Sequence, residues 1–216
     1  MPKKIPTFDQ LFGDEDDPFS QPFEPKPVVL ESAHVRLEAL TLEHAEDLYE
    51  AGKTETLWRF LPYPAPKSVD DMRGWIQEAI VKTEAGHEVA FAIIHLGDNK
   101  AVGSTRFMSI AHADRGVEIG GTWIGIHYQR SPLNTHCKYL LLQHAFETLG
   151  AIRVQLKTDS RNQQSRKAIE RIGARREGIL RNHMIMPDGH YRDTVIYSIT
   201  RKEWPEKKKS LRLRLL

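Results

Sequence analysis

Cysteine is almost missing from this chain. Cys137 stands alone among 216 residues, so no intrachain disulfide can staple the fold and stability has to come from a packed core. Long apolar runs are missing too: nothing approaches the roughly 18 consecutive apolar residues that a spanning helix needs. No leader-like segment opens the chain, and the expected location is the cytoplasm, with no membrane partner. The ten histidines never take the His-Glu-x-x-His spacing of a zinc helix, and Cys137 has no second cysteine beside it, so no metal is expected. Charge of one sign is also scarce. The 31 basic and 29 acidic residues leave a net +2, which by itself says nothing of partners; a nucleic-acid partner is not expected.

What is present suits a soluble enzyme. A hydrophobic content of 40% can build a core and 28% charged residues can solvate its surface, and the length is that of one large domain or a domain with tails. Residues 1–27 hold Asp14-Glu15-Asp16-Asp17 and prolines at Pro2, Pro6, Pro18, Pro22, Pro25 and Pro27, without a sustained apolar period. They are expected to form a flexible arm. Phe8, Phe12, Phe19 and Phe23 leave open its docking on the same or a neighbouring subunit. Residues 206–216 carry Lys207-Lys208-Lys209, Arg212 and Arg214 and are expected to be a solvated basic tail, with contact to RNA or an acidic surface as the other reading. The domain itself is assigned to residues 28–205.

Within that domain His34 to Leu40 reads as a strand. Thr41 starts a helix with Leu42, Ala45, Leu48 and Tyr49 inward, and Ser68 with Asp71 opens a second one repeating Met72, Trp75, Ile76, Ala79 and Ile80. Glu88–Leu96 and Ala101–Ile110 form a hairpin around Gly97-Asp98-Asn99-Lys100, and Gly178–Met186 with Arg192–Ile199 form another around Pro187-Asp188-Gly189. Fold class is α/β, or α+β: a mixed sheet with helices on both faces.

The stretch between the hairpins is the most informative. Val117 to Ile126 is rich in β-branched and aromatic residues and carries Gly120, Gly121 and Gly125, as a strand bordering a ligand would. After the polar turn Gln129 to Thr135, Leu142, Ala145, Phe146 and Leu149 recur at helical spacing until Gly150. Ile152, Val154 and Leu156 then alternate with Arg153, Gln155 and Lys157 as a half-buried strand. Asn162 and Ser165 open a last helix that Gly173 ends. The helix beginning near Asn134 has first-turn amides without partners inside it, so a pyrophosphate suits that position, and Lys138 would add a positive charge.

This order of elements resembles the GNAT superfamily of N-acetyltransferases, whose Gln/Arg-x-x-Gly-x-Gly/Ala turn binds acetyl-coenzyme A. Gln129 matches that turn while Pro132 and Asn134 depart from it, and related sequences have Asn-Thr-x-x-Lys there, as in Asn134-Thr135-His136-Cys137-Lys138. The segment Asn162-x-x-Ser165-x-x-x-x-Glu170-x-x-Gly173-Ala174-x-x-Glu177-Gly178 is similar to the RimJ/RimL-like branch of ribosomal-protein N-terminal acetyltransferases. The resemblance spans roughly His34 to Pro205. It implies a GNAT-like, mostly antiparallel sheet and acetyl transfer from acetyl-CoA to a primary amine, most simply a protein N-terminal α-amine. A small amine such as an antibiotic or polyamine, and a noncatalytic acyl-CoA-binding module, are the alternatives.

Such a transferase must deprotonate an amine, stabilise an oxyanion and return a proton to the departing sulfur. Glu118 is the candidate base, with His183 as its rival. Ser165 is the candidate proton donor, since its place after Asn162 is similar to the serine proposed for that job in the RimL-like branch; the tyrosine many relatives use later in that helix is absent, which leaves Ser165 or water. Backbone around Trp123, Ile124 and Ile126 can face the thioester and pantetheine. Gln129, Ser131, Asn134, Thr135 and Lys138 surround the pyrophosphate, and Asn162 and Ser165 face pantetheine. Trp58, Arg59, Tyr63 and His183 are expected around the amine, Cys137 is read as a small core residue, and exposed hairpin edges permit a homodimer.

Overall fold

The computed structural model describes residues 21–215. Eight strands form one sheet in the order β1-β2-β3-β4-β5-β6-β8-β7. They are β1 (Leu30–Glu31), β2 (Val35–Ala39), β3 (Val89–His95), β4 (Lys100–Ala111), β5 (Gly116–Ile124), β6 (Arg153–Asp159), β7 (Arg175–Ile185) and β8 (Tyr191–Thr200). All neighbours are antiparallel except β5 and β6. That pair is parallel because a helix lies between its strands in sequence, and a parallel pair needs such a crossover. The crossover is α3 (Leu133–Gln143), continued by a π turn over His144–Thr148.

The other helices are α1 (Ala45–Gly52), α2 (Val69–Glu84), α4 (Gln163–Arg171) and α5 (Trp204–Leu215). Strand β3 shows how the sheet keeps two cores apart. Val89, Phe91 and Ile93 point into the core under α3, α4 and α5, while Ala90, Ala92 and Ile94 point into the one under α1 and α2. Alanines on the second face let α1 and α2 lie close to the sheet, the alternation expected where both faces are covered. The expected mixed sheet with helices on both faces is thus present.

Ser68 caps α2 by accepting the Asp71 N–H at 3.1 Å, and Asn162 caps α4 by accepting that of Ser165 at 3.0 Å. Gly150 and Gly173, at φ +67° and +90°, close the helices where the sequence placed left-handed residues. Two apolar residues read as inward turn outward: Leu42, in a short 3-10 turn before α1, and Ile152, which precedes β6. Each sits just outside the regular element whose periodicity suggested it.

The C-terminal end differs from the reading of a solvated tail, and at the N-terminal end one aromatic of the arm is docked. Residues 206–215 belong to α5, whose Trp204 and Leu211 are buried against α3, and Lys208 pairs with Glu147 at 2.7 Å. The lysines and arginines disguised this helix, because only its two large apolar side chains face the core. At the other end Phe23 is buried, its carbonyl 2.8 Å from Nδ1 of His112. Phe8, Phe12, Phe19 and the acidic run lie outside the described residues.

Docking of α5 makes a quantitative prediction. Leu211→Ala should lower the unfolding free energy by about 2–4 kcal/mol, whereas exposed Leu213→Ala should stay within about 0.5 kcal/mol. Urea denaturation of the two variants checks both values.

Candidate active site

Strands β5 and β6 pair at only three positions, Gly116 with Arg153, Val117 with Val154 and Glu118 with Gln155. Beyond Glu118 they separate: β5 stays on β4 as far as Ile124, and β6 follows β8 as far as Asp159. A β-bulge drives the separation. The β4–β5 register shifts between Ser104 and Arg106, and Gly121 takes φ +56° opposite the shift, which bends a strand away from its neighbour. Both glycines of the bulge leave little room for a side chain, and Gly121 also takes a left-handed backbone. A Cβ on Gly120 would lie 2.7 Å from a Glu118 carboxylate oxygen, and one on Gly121 would meet the Arg106 stem at 3.1 Å.

Arg106 is itself buried, bonded to buried Glu88, with its guanidinium 4.6 Å from the Trp75 ring centre and 5.7 Å from that of Tyr63. The opening therefore rests on a buried ion pair and an aromatic cluster in which Trp58 and Trp75 pack on Trp123. The side chains of Trp123 and Ile124 belong to the two cores, so this segment offers its backbone edge. Ile126 lies past the strand and is exposed.

At the mouth, the first amide bonded within α3 is that of His136, to the Pro132 carbonyl at 3.0 Å. The Ser131 hydroxyl donates to the Tyr128 carbonyl at 2.6 Å and accepts the Leu133 N–H at 3.3 Å. The Asn134 and Thr135 amides remain without partners inside the helix, the arrangement that binds anions. Arg130 adopts φ +58° ahead of this turn. Gln129 ties the two sides together: its Nε2 donates to the Ile124 carbonyl at 2.9 Å and its Oε1 accepts from Gln164 of α4 at 3.0 Å. Its side chain is thereby committed to the protein.

Across the opening, Asn162 spends Oδ1 on the cap and keeps its NH2 free, and the half-buried Ser165 hydroxyl has no partner among the described residues. Thr135 and Lys138 sit deeper than the sequence suggested. Thr135 is buried and accepts from Arg171 at 3.2 Å, and Lys138 is buried with its Nζ 2.7 Å from the Thr122 hydroxyl. The lysine stem runs inward along the helix, so its charge stands beneath β5 and away from the exposed first turn.

Glu118 lies at the vertex of the opening and is almost wholly buried. Flanked by Val117 and Ile119 of the first core, its side chain points to the α1–α2 face. Oε2 receives the Lys157 Nζ at 3.1 Å, the Gln155 Nε2 at 3.2 Å and, at 3.5 Å, the Ser109 hydroxyl. Oε1 carries no hydrogen bond among the described residues, so one oxygen is anchored and the other is available.

Around it stand Asp159, bound to Arg161 at 2.8 Å, Arg192, and His183, whose Nδ1 is 3.1 Å from the Thr194 hydroxyl. Partial burial and the nearby charges of Lys157 and Arg192 lower the His183 pKa, against the pull of Glu118. This favours the neutral imidazole. An open groove of about 830 Å³ along the β7 bulge is lined by Ile179, Leu180, Arg181, Asn182, His183 and Asp193. Arg59 lies over the Phe60 ring and Tyr63 stands edge-on to Trp75, whereas Trp58 is fully engaged in the second core.

Sequence alone does not mark Gln155, Lys157, Asp159 and Arg192 as site residues. Their signal was the polar half of the strand alternation, which reads as solvent-facing until a cleft is known to lie there.

The family model described as "Acetyltransferase (GNAT) domain" matches residues 34–175. The chain belongs to the GNAT family of acetyltransferases. A GCN5-related N-acetyltransferase from Brucella melitensis superposes with TM-score 0.84 at 30% identity, covering 89% of this chain and 87% of that one. A "putative acetyltransferase" from T. thermophilus gives TM-score 0.81 at 36% identity over 89% of this chain and 99% of that one. "Putative ribosomal N-acetyltransferase YdaF" of Bacillus subtilis (strain 168) is 31% identical over 113 residues, 52% of this chain and 61% of that protein.

GNAT acetyltransferases use acetyl-CoA generally, and the unpaired β5 edge with the free first-turn amides of α3 fits such a group. Among the described residues no three His, Cys, Asp or Glu side chains cluster as metal ligands, and no helix is long and apolar enough to cross a membrane.

Burial lowers the Lys138 pKa to about 8 from 10.5. The folded state thus disfavours the charged amine, fully below about pH 8 and less as pH rises toward 10.5. Lys138→Met should be more stable than the parent at pH 7. That advantage should shrink by about 3 kcal/mol between pH 8 and 10.5, measured by denaturation of both proteins across that range.

Proposed function

We propose that this GNAT acetyltransferase moves an acetyl group from acetyl-CoA directly to a protein N-terminal α-amine, with Glu118 as general base. The observation that carries this reading is the placement of one uncommitted carboxylate oxygen at the point where β5 and β6 part. When bound, acetyl-CoA supplies the activated acetyl group and a thiol leaving group. The Asn134 and Thr135 amides hold its pyrophosphate at the α3 N-terminus. Unpaired amides of β5 between Gly120 and Ile124 align its arm and face the carbonyl oxygen as that gains negative charge. The free NH2 of Asn162 holds an amide of the arm.

Glu118 takes the amine proton through Oε1, directly or through a water, while Gln155 and Lys157 fix the carboxylate through Oε2. The free hydroxyl of Ser165 relays a proton to the departing sulfur, giving up its own and regaining one from solvent. His183, with its imidazole held neutral, lines the amine's approach. An α-amine has an intrinsic pKa of about 7.7–8.0 against about 10.4 for lysine, so a single carboxylate deprotonates it more readily. The ribosomal name of the similar YdaF protein supports the same substrate class, as does the Asn162-x-x-Ser165 segment.

Calorimetric titration with acetyl-CoA, combined with thiol release on N-terminal peptides, lysine peptides and small amines, tests the reading. Binding with fastest release on N-terminal peptides is expected; fastest release on small amines, or binding without release, would reject it. Glu118→Gln should lower turnover by about 10²–10⁴-fold with little change in acetyl-CoA affinity. Ser165→Ala should slow turnover to a smaller degree. Asn162→Ala should weaken acetyl-CoA binding and cost about 1 kcal/mol of stability as a lost cap.

A further inference from the structure

Arg192, near the start of β8, is 5% exposed, yet it lacks what a buried guanidinium ordinarily has. Its hydrogen bond is a long one, from Nη1 to the Phe60 carbonyl at 3.5 Å. Nε is buried without a partner, and Nη2 has none among the described residues. The nearby carboxylates have cations closer than Arg192, Glu118 through its Oε2 with Lys157 at 3.1 Å and Asp159 with Arg161 at 2.8 Å, and neither pairs with Arg192. Asp188 adds its charge near Arg161, and Glu118 and Asp159 act on Arg192 only at a distance, so among the described residues the Arg192 guanidinium has no ion pair of its own.

Burying an unpaired charge is unfavourable unless something arrives to meet it. The unfilled donors are also the informative ones. Nε–H and Nη2–H form one straight edge of the guanidinium fork, the edge that takes both oxygens of a carboxylate at once. Arg192 shares the cleft face with Glu118, flanks His183 and reaches the Phe60 segment between α1 and α2.

We propose that Arg192 binds a carboxylate of the acceptor, so that the enzyme selects amines with an acidic group close by, such as a peptide N-terminus followed by Asp or Glu. The inference rests on the acetyltransferase reading of the Glu118 site and adds the charge of the substrate to it. Arg192 acts on specificity and takes no part in proton transfer.

The test uses the full chain with acetyl-CoA and matched acceptor pairs: peptides differing only in Asp or Asn at the second position, and glycine against glycinamide. The parent should prefer the acid in at least one pair by about tenfold or more in kcat/KM. Arg192→Met and Arg192→Gln should bring that ratio close to one. Each ratio compares two substrates in one preparation, so a partly unfolded variant still reports it.

Preference within the peptides identifies a side-chain carboxylate, and preference for glycine identifies an α-carboxylate; either supports the clamp. A parent ratio near one in both pairs, or a preference that survives in both variants, would overturn it and leave the acetyltransferase reading intact. Absence of thiol release with every acceptor would overturn that reading and the clamp with it.

Discussion

Two neighbouring parallel strands stop pairing after three residues, and the rest of the site depends on that interruption. Unmet backbone donors and acceptors inside a sheet are unfavourable, so the separation of β5 from β6 has to be held open by something stronger than a local preference. The support is the bulge at Gly120 and Gly121, braced by the buried Arg106–Glu88 pair and packed over Trp75. A Cβ on Gly120 would press on the Glu118 carboxylate and the Met108 sulfur, and Gly121 holds a φ of +56° that other residues rarely adopt. The opening and the placement of its carboxylate are thus one packing solution.

Once open, the site is organised by which polar atoms are already committed. Among the described residues, Oε2 of Glu118 is held by three donors and Oε1 by none. Oδ1 of Asn162 caps α4 while its NH2 has no partner among the described residues. In Gln129 both ends of the amide are spent on bridging β5 to α4. Lys138 points inward to Thr122. A side chain fully satisfied by the protein supports the frame, whereas one with a free donor or acceptor is equipped to meet a ligand. By that criterion Glu118, Asn162, Ser165 and the first amides of α3 face the chemistry, and Gln129, Thr135 and Lys138 brace it.

How much of this was legible follows residue by residue. The period-two pattern around Val154 and Leu156 located β6, and the helical repeat before Gly150 located α3. Asn162 announced a cap and proved to be one. Glu118 was visible as a carboxylate on a glycine-rich strand. Its partners were not, because Gln155 and Lys157 look like the wet side of a half-buried strand, and only the sheet order brings them to Glu118. The basic stretch after Trp204 hid a docked helix because two apolar residues are too few to show a period.

The sequence by itself determined most of the elements up to β8, the Ser68 and Asn162 caps and the family resemblance, since these rest on spacings of a few residues that any local window contains. Tertiary structure alone decided which strands part, which oxygen of Glu118 is free, where Lys138 turns, and that Arg192 has no ion pair of its own among the described residues. Those outcomes depend on residues as far apart as Arg192 and Phe60, 132 positions from one another. Contacts between distant segments have no spacing rule to read, because packing and the burial of charge settle them only when the chain has closed on itself.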